Sequence, residues 1–263
     1  MPKRVLTPDQ RATLRDCLLD YLPKDKIIER FEVAGGDEVS AGRLSSPESS
    51  AALAANTFGF FIDQPSLLSL PAGLSQEKIP TKVELECEMR FPWSGGHHAW
   101  LDAAIEADGL LVGIESKRYE PFRDEKRVAF SEAYQRNVWG NKMTPFIQMR
   151  DRLLSGEAVF YFLDAAQLVK HAFGLRTQGD KKTKIANLLY LYAEPTHYPD
   201  GRNLERNQII RHRDEIRIFS DAVAGAEVAF SSLKYSELMS YWLASNRPQL
   251  RAHANELSKK FNL

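Results

Sequence analysis

Residues 100–117 constrain the fold more than any other part of this 263-residue chain. Two runs rich in apolar residues flank Asp108-Gly109, and an Asp-Gly pair between such runs is a strong β-hairpin signal, because both turn positions favour positive φ. A two-residue turn fixes the register and sets Asp102 opposite Glu115. Because facing residues share a side of the sheet, this register predicts one apolar face made of Leu101, Ala103, Ile105, Leu110, Val112 and Ile114.

The other face of the hairpin would carry the carboxylates of Asp102 and Glu115, with Cβ atoms about 5 Å apart. Like charges opposed in this way destabilise a sheet, whereas a cation between them reverses the sign of the interaction. Mg²⁺ prefers carboxylate oxygens and keeps positions open for water and phosphate. Lys117 would point its ammonium at the same place, and the small residues Ala104 and Gly113 would leave room for a substrate.

An Asp followed by Glu-x-Lys at the end of an apolar strand resembles the active-site signature of the PD-(D/E)XK nucleases. The resemblance implies that Asp102 and Glu115 are metal ligands and that Lys117 is the catalytic lysine, although Leu101 replaces the usual proline. A wider resemblance, over about residues 45–235, is to bacterial proteins classed as restriction-endonuclease-like. The motifs that carry it are Ser49-Ser50, Asn56-x-Phe58-Gly59, Arg90-Phe91-Pro92 and Glu120-Pro121-Phe122.

This resemblance implies a restriction-endonuclease-like α/β fold with an αβββαβ core and a mixed central sheet flanked by helices. Residues 1–43 would form an N-terminal helical elaboration, and residues 44–263 the nuclease-like domain. The implied function is a metal-dependent nuclease that hydrolyses phosphodiester bonds, with DNA as its substrate. Mg²⁺ would be the cofactor, Mn²⁺ would substitute for it, and no organic cofactor is expected. Because many such nucleases cut as dimers, a homodimer is also implied.

Two further acids are candidates for the metal site. Residues 46–48 are predicted to start a buried helix, where Glu48 either lends an acid to the site or only complements the helix dipole. Residues 82–91 alternate strictly between polar and apolar and predict a strand with three glutamates on one face. Glu88, nearest the hairpin, is either a third acid or part of a solvated face. His98 shares the face of Asp102, but a surface or hydrogen-bonded histidine is the simpler interpretation.

The remaining pattern predicts further elements on both sides of the hairpin. Apolar spacing and proline or capping residues predict helices over residues 8–21, 24–32, 130–139, 144–154, 165–173, 204–223, 235–244 and 247–260. Continuous apolar runs predict buried strands over residues 158–163 and 184–193, and residues 226–233 suggest an edge strand.

Charge balance counts against strong non-specific DNA binding. The chain has 35 Lys and Arg against 35 Asp and Glu, so its formal net charge is zero. A nucleic-acid binder usually has a basic excess, because phosphate neutralisation dominates affinity. The stretch with the clearest excess of basic residues ends in the helix predicted at 204–223. There Arg206, Arg213 and Arg217 either contact phosphates or form a solvated face.

Cysteine usage and hydropathy favour a cytoplasmic protein without a membrane interaction. Cys17 and Cys87 lack the paired spacing of a zinc site, and two lone cysteines suit a reducing compartment. No apolar run approaches the roughly 20 residues of a membrane helix, and the first residues lack the apolar core of a signal peptide.

Two other functions remain open. A retaining glycosidase also uses two carboxylates about 5 Å apart, although Lys117 on the same face and the lack of aromatic-rich strands count against it. The second is a non-catalytic, nuclease-like module that binds nucleic acid within a larger assembly. A site without turnover would have no reason to keep Asp102, Glu115 and Lys117 together.

Overall fold

The computed structural model describes residues 6–34, 42–74, 78–123 and 125–263. In these residues one mixed sheet contains strands in the spatial order β1-β2-β3-β4-β5. The strands are β1 (Pro80–Met89), β2 (Ala99–Ala107), β3 (Leu110–Lys117), β4 (Ile185–Tyr192) and β5 (Ala229–Lys234). Strands β1 to β3 form an antiparallel meander, whereas β4 lies parallel to β3 and β5 lies parallel to β4.

Helices cover both faces of this sheet. They are α1 (Pro8–Cys17), α2 (Lys24–Val33), α3 (Ser50–Gly59), α4 (Glu120–Arg123), α5 (Thr144–Ser155), α6 (Ala165–Lys182), α7 (Arg206–Ala222), α8 (Tyr235–Leu243) and α9 (Pro248–Phe261). One hydrophobic cluster joins α1, α2, α3, α8 and α9 to one face, and a second joins α5, α6 and α7 to the other. Among the described residues, no helix is long and apolar enough to cross a membrane.

The predicted α/β fold class, a mixed central sheet flanked by helices, is confirmed. The chain order α3-β1-β2-β3-α6-β4 contains the αβββαβ core, with the shorter helices α4 and α5 inserted before α6. The two central strands, β3 and β4, are buried along almost their whole length, as expected for strands covered on both faces. A residue near the end of β3 is therefore held by neighbours on both sides.

The hairpin register is confirmed. Ala107 pairs with Leu110, Ile105 with Val112 and Ala103 with Ile114, so the loop has two residues. Gly109 takes a φ of 66°. The expectation of positive φ at both turn positions is wrong, because Glu86, Thr183 and Asn262 are the non-glycine residues with positive φ in the described part of the chain.

The predicted apolar face is wrong at Leu101, because the alternation of β2 reverses at Asp102. Ala103 and Ile105 belong to the cluster that contains α3, whereas Leu101 belongs to the cluster that contains α6. A Cβ built on Gly113 would lie 2.4 Å from Leu101 Cδ1, so the absent side chain makes room for Leu101 on that face.

The alternation of faces also reverses in strand β1, at the position that faces Asp102. Val83 and Leu85 lie in the first cluster, whereas Cys87 and Met89 lie in the second, so the single apolar face predicted for residues 83–89 is also wrong. Glu86, between the two pairs, has a φ of 47°, a conformation that L-residues with side chains rarely adopt. Reversals in two paired strands keep the ladder in register on either side of Asp102.

The N-terminal helices pack into the main structure. Leu14 of α1 and Ile27 and Phe31 of α2 are buried in the cluster that contains α3 and the sheet. Arg30 of α2 also donates hydrogen bonds to the backbone oxygens of Leu85 and Glu86 in β1. The division at residue 43 stays a prediction, and its residues 1–5 and 35–41 lie outside the described residues.

Residues 158–163, predicted as a buried strand, form an irregular, bent segment outside the sheet. The physical reason is Glu215 in α7, whose carboxylate accepts hydrogen bonds from the N–H groups of Tyr161 (2.9 Å), Phe162 (2.8 Å) and Leu163 (2.8 Å). A side chain thus satisfies the donors that a strand ladder would otherwise use. The apolar side chain of Tyr161 is 65% exposed, so the run is not buried on both faces.

Three helix predictions need correction. Residues 130–139 form a short 3₁₀ turn and irregular chain, in which Trp139 stacks on Phe173 of α6 and donates its indole N–H to Tyr134 O. Helix α3 begins at Ser50 and is capped by Ser49, whose hydroxyl accepts from Ala52 N, so residues 46–48 precede it. Helix α6 continues to residue 182 because it packs across β1 to β4.

The hydrogen bonds to Glu215 generate a stability prediction. Glu215→Ala removes a charged acceptor from three backbone donors, so we expect the free energy of unfolding to fall by about 2–4 kcal/mol. Asp214→Ala is the matched control, since it removes the same charge from the adjacent, exposed position of the same helix. We expect the control to change stability by less than about 0.5 kcal/mol in urea denaturation. Equal effects of the two variants would contradict the structural role of Glu215.

Candidate active site

Asp102 lies where the β2–β3 ladder ends. Beyond the Ala103–Ile114 pair, its Oδ2 accepts a hydrogen bond of 2.7 Å from the backbone N–H of Ser116. Because the alternation of β2 reverses here, the Asp102 side chain does not follow the pattern that predicts it directly opposite Glu115. Glu115 still acts on Asp102. Burial raises the pKa of the Asp102 carboxyl, and repulsion from Glu115 raises it further.

Glu115 is buried near the end of the central strand β3, with 2% of its surface exposed. Its Oε1 lies 2.5 Å from the Nζ of Lys117, and its Oε2 lies 3.2 Å from Nδ1 of His171 in α6. Burial lowers the pKa of His171 to about 3, so the imidazole is neutral near pH 7. Lys117 is consequently the cation that compensates Glu115 directly.

The two buried acids and Lys117 have perturbed pKa values. Burial raises the pKa of Asp102 well above its ordinary value, and repulsion from Glu115 adds to the shift. Burial also raises the pKa of Glu115, although Lys117 opposes the effect. Burial alone would lower the pKa of Lys117, but Glu115, Glu120 and Asp102 together raise it above the ordinary lysine value. Lys117 therefore stays protonated while the acids remain under-compensated.

Lys117 opens onto a cleft of about 240 Å³ between α4, the start of α6 and β4. Glu120 and Asp164 line this cleft, and both raise the pKa of Glu115. Glu120 is fixed by the backbone N–H of Arg118 (2.9 Å) and by the hydroxyl of Ser50. Asp164 caps α6 through Gln167 N at 2.8 Å. The cleft is consequently acidic except at Lys117 and Lys126.

Sequence reasoning missed three residues of this site. His171 lies 56 positions after Glu115 in a helix predicted to end at residue 173, and no local pattern relates the two. Asp164 has an ordinary helix-capping signal, which gives no hint of a site. Glu120 stands in the motif Glu120-Pro121-Phe122, so the resemblance offered a signal for this residue, although it assigned no chemistry to it.

The two candidate additional acids are not brought to the group formed by Asp102, Glu115 and Lys117. Glu48 pairs with Arg123 and lines a separate cleft of about 260 Å³ that Glu120 also borders. Glu88 is exposed near Arg90 and lines a third cleft, which contains neither Asp102 nor Glu115. His98 accepts a hydrogen bond from the backbone N–H of Phe91, as the simpler interpretation expected.

The arginines of α7 are partly engaged in surface ion pairs. Arg213 makes two contacts of 2.5 Å with Glu194, and Arg217 lies 3.5 Å from Asp221. Exposed pairs of this kind are weak and leave the side chains free to exchange partners. Their arrangement fits the solvated-face alternative better than a preformed row of phosphate contacts.

The chemistry of the donor set fits a divalent cation such as Mg²⁺. Carboxylate oxygens are its preferred ligands, and Asp102 and Glu115 supply them; burial is the main cause of their raised pKa values, and a bound cation would oppose that shift. Within the described ranges, no group of three or more His, Cys, Asp or Glu side chains is arranged to hold a metal ion. Mg²⁺ is commonly held by one or two carboxylates and keeps several waters, so two acids suffice.

Comparison with known protein families identifies one that this chain matches. Residues 12–261 match the family described as REase-ARP, restriction endonuclease associating with ARP. The chain belongs to this family. No curated protein and no solved structure matches it. Membership in REase-ARP supports a restriction-endonuclease-like protein with a nuclease-like function.

The raised pKa of Asp102 predicts a specific dependence of stability on pH. Because the folded-state pKa lies above the unfolded-state value, the protein loses stability as pH rises from the unfolded pKa through the folded pKa. Asp102→Asn removes this loss, so in EDTA we expect its melting temperature to exceed that of wild type more at about pH 8 than at about pH 4.5.

Asp108→Asn is the control for this experiment, because Asp108 is an exposed acid in the neighbouring turn, 97% exposed at its side chain. It should show no comparable gain at the higher pH. A destabilised Asp102→Asn protein at about pH 8 would mean that the carboxylate is a net stabilising group and would contradict the charge imbalance described above.

Proposed function

We propose that this protein is a Mg²⁺-dependent nuclease that hydrolyses DNA phosphodiester bonds with Asp102, Glu115 and Lys117, in the manner of the PD-(D/E)XK nucleases. The observation that carries the proposal is a pair of acids with raised pKa values beside a protonated lysine at the rim of a cleft. Membership in REase-ARP supports the same reading. The arrangement suits phosphate chemistry because it combines a cation-accepting group with a fixed positive charge.

Asp102 and Glu115 would hold the metal ion. The bound ion would supply Lewis-acid polarisation of the scissile phosphate. For Glu115 to bind it, Lys117 must leave the carboxylate contact that it makes in the structure. The freed ammonium would then face the cleft, where it can orient the attacking water and offset negative charge as the phosphate reacts. The Ser116 N–H would hold the Asp102 carboxylate in place during this exchange.

Further properties belong to the same proposal. Mn²⁺ would replace Mg²⁺, since both accept carboxylate and water ligands. We also infer a cytoplasmic protein that binds DNA, forms a homodimer and needs no organic cofactor. The zero net charge supports modest, salt-sensitive binding outside the site.

A specific observation favours a second candidate, a non-catalytic nuclease-like module that acts in a larger assembly. Oε1 of Glu115 already contacts Lys117, and Oδ2 of Asp102 accepts a hydrogen bond from Ser116 N–H, so each acid has a partner without a metal ion. The family description, with its phrase "associating with ARP", also fits a protein that works with a partner.

Plasmid cleavage tests the proposal. Purified protein would be incubated with supercoiled plasmid and single-stranded DNA in Mg²⁺, Mn²⁺ or EDTA. We expect metal-dependent cutting by wild type and losses of about 100-fold or more in Asp102→Ala and Lys117→Ala, because each removes a group that acts in the transition state. Glu88→Gln is the control, since Glu88 lies in a different cleft, and it should retain activity.

Metal binding is tested separately by melting temperature. Mg²⁺ should raise the melting temperature of wild type but not that of Asp102→Ala, because a ligand stabilises only the state that binds it. Absence of both a Mg²⁺ response and cutting would favour the non-catalytic module. Cutting that survives both Asp102→Ala and Lys117→Ala would exclude this site as the active site.

A further inference from the structure

An exposed aromatic segment lies beside the cleft that contains Lys117. We name residues 159–162 the aromatic ridge. Val159 and Tyr161 are exposed to 59% and 65%, whereas Phe160 between them is buried. Phe162 at the end of the ridge lines the same cleft as Lys117. An exposed aromatic next to a cleft is more informative than a scattered surface apolar residue, because it extends the surface that a ligand in the cleft can contact.

The ridge is held rigidly in its exposed position. Three consecutive N–H groups, from Tyr161 to Leu163, bond to the single carboxylate of Glu215. The buried side chains of Phe160 and Leu163 anchor the segment between them. A rigid backbone lowers the entropy that Tyr161 would lose when a ligand contacts it. The ridge is thus preorganised as a binding surface.

Positive groups border the aromatic rings. The guanidinium of Arg211 lies 5.8 Å from the ring centroid of Phe162, within the range of a cation–π contact. Lys126 lines the same cleft as Phe162. Aromatic side chains next to basic ones are the combination that binds single-stranded nucleic acid, since bases stack on the rings and phosphates lie near the cations.

We propose that the aromatic ridge, through Tyr161, stacks an unpaired base of the substrate, so that this site prefers nucleic acid with a single-stranded segment next to the scissile phosphate. The inference rests on the proposed nuclease function and names its substrate class. Bases inside a duplex have no free face for a tyrosine ring, whereas unpaired bases do. Stacking also supplies affinity that the neutral net charge does not, because phosphate neutralisation alone would be weak.

The test measures binding without relying on cleavage. Fluorescence anisotropy would compare a labelled single strand, a blunt duplex and a duplex with a single-stranded tail, in EDTA and in Ca²⁺. Tyr161→Ala should weaken binding of the single strand and of the tailed duplex by about 5- to 150-fold, the effect of one lost base stack. Binding of the blunt duplex should change by less than about 2-fold. Tyr161→Trp should retain wild-type affinity.

Two controls isolate stacking from other effects. Leu154→Ala removes an exposed apolar side chain of α5, outside the ridge, and should leave all three affinities unchanged. The loss in Tyr161→Ala should also persist between about 50 and 200 mM salt, because stacking releases no counterions. Unchanged melting temperatures would show that Tyr161→Ala and Leu154→Ala keep the fold.

The outcomes separate this inference from the proposed function. Equal losses on single strand and blunt duplex, or no loss in Tyr161→Ala, would overturn the stacking role. Absence of nucleic-acid binding by wild type would overturn it as well. Selective loss of single-strand binding in a protein that never cuts would support the ridge while the catalytic proposal fails.

Discussion

The compensation of Glu115 by Lys117 is the interaction on which the site depends. A carboxylate with 2% exposure cannot remain charged without a partner, and the ammonium 2.5 Å away supplies it. One positive charge must also serve Asp102, Glu120 and Asp164. The ion pair therefore compensates Glu115, and a cation held by these acids, as proposed, would relieve the negative charge that remains.

Strand pairing fixes the backbone around these charged residues. Strand β3 pairs with β2 as far as Ile114, and Glu115 and Lys117 continue the ladder with β4, so their backbone is fixed by a neighbouring strand. The position of Asp102 depends on the face reversal, which Glu86 in β1 accommodates with a φ of 47°. Backbone strain of this kind costs on the order of 1–3 kcal/mol and persists only where the surrounding structure enforces it. Its position opposite Asp102 ties the strain to the site.

Local information decides which parts of this arrangement are predictable from the sequence. The Asp-Gly turn fixes the register from Ala107–Leu110 to Ala103–Ile114, because turn and strands are contiguous. The reversal at Asp102 has no such signal, since it arises from packing of Leu101 against Gly113 and α6. The strand prediction for the aromatic ridge is wrong for a related reason. Its apolar run resembles a buried strand, but the acceptor that binds its N–H groups is Glu215, more than fifty residues away.

In the proposed nuclease, an acidic cleft in a chain of zero net charge would impose an order on substrate binding. Asp102, Glu115, Glu120 and Asp164 would repel a phosphate until a cation enters, so electrostatic attraction alone would not guide DNA to the site. Contacts that do not depend on charge would then decide which nucleic acids remain in the cleft long enough to react. Because Phe162 of the aromatic ridge lines the same cleft as Lys117, the metal ion and the base contact would act on neighbouring parts of one substrate.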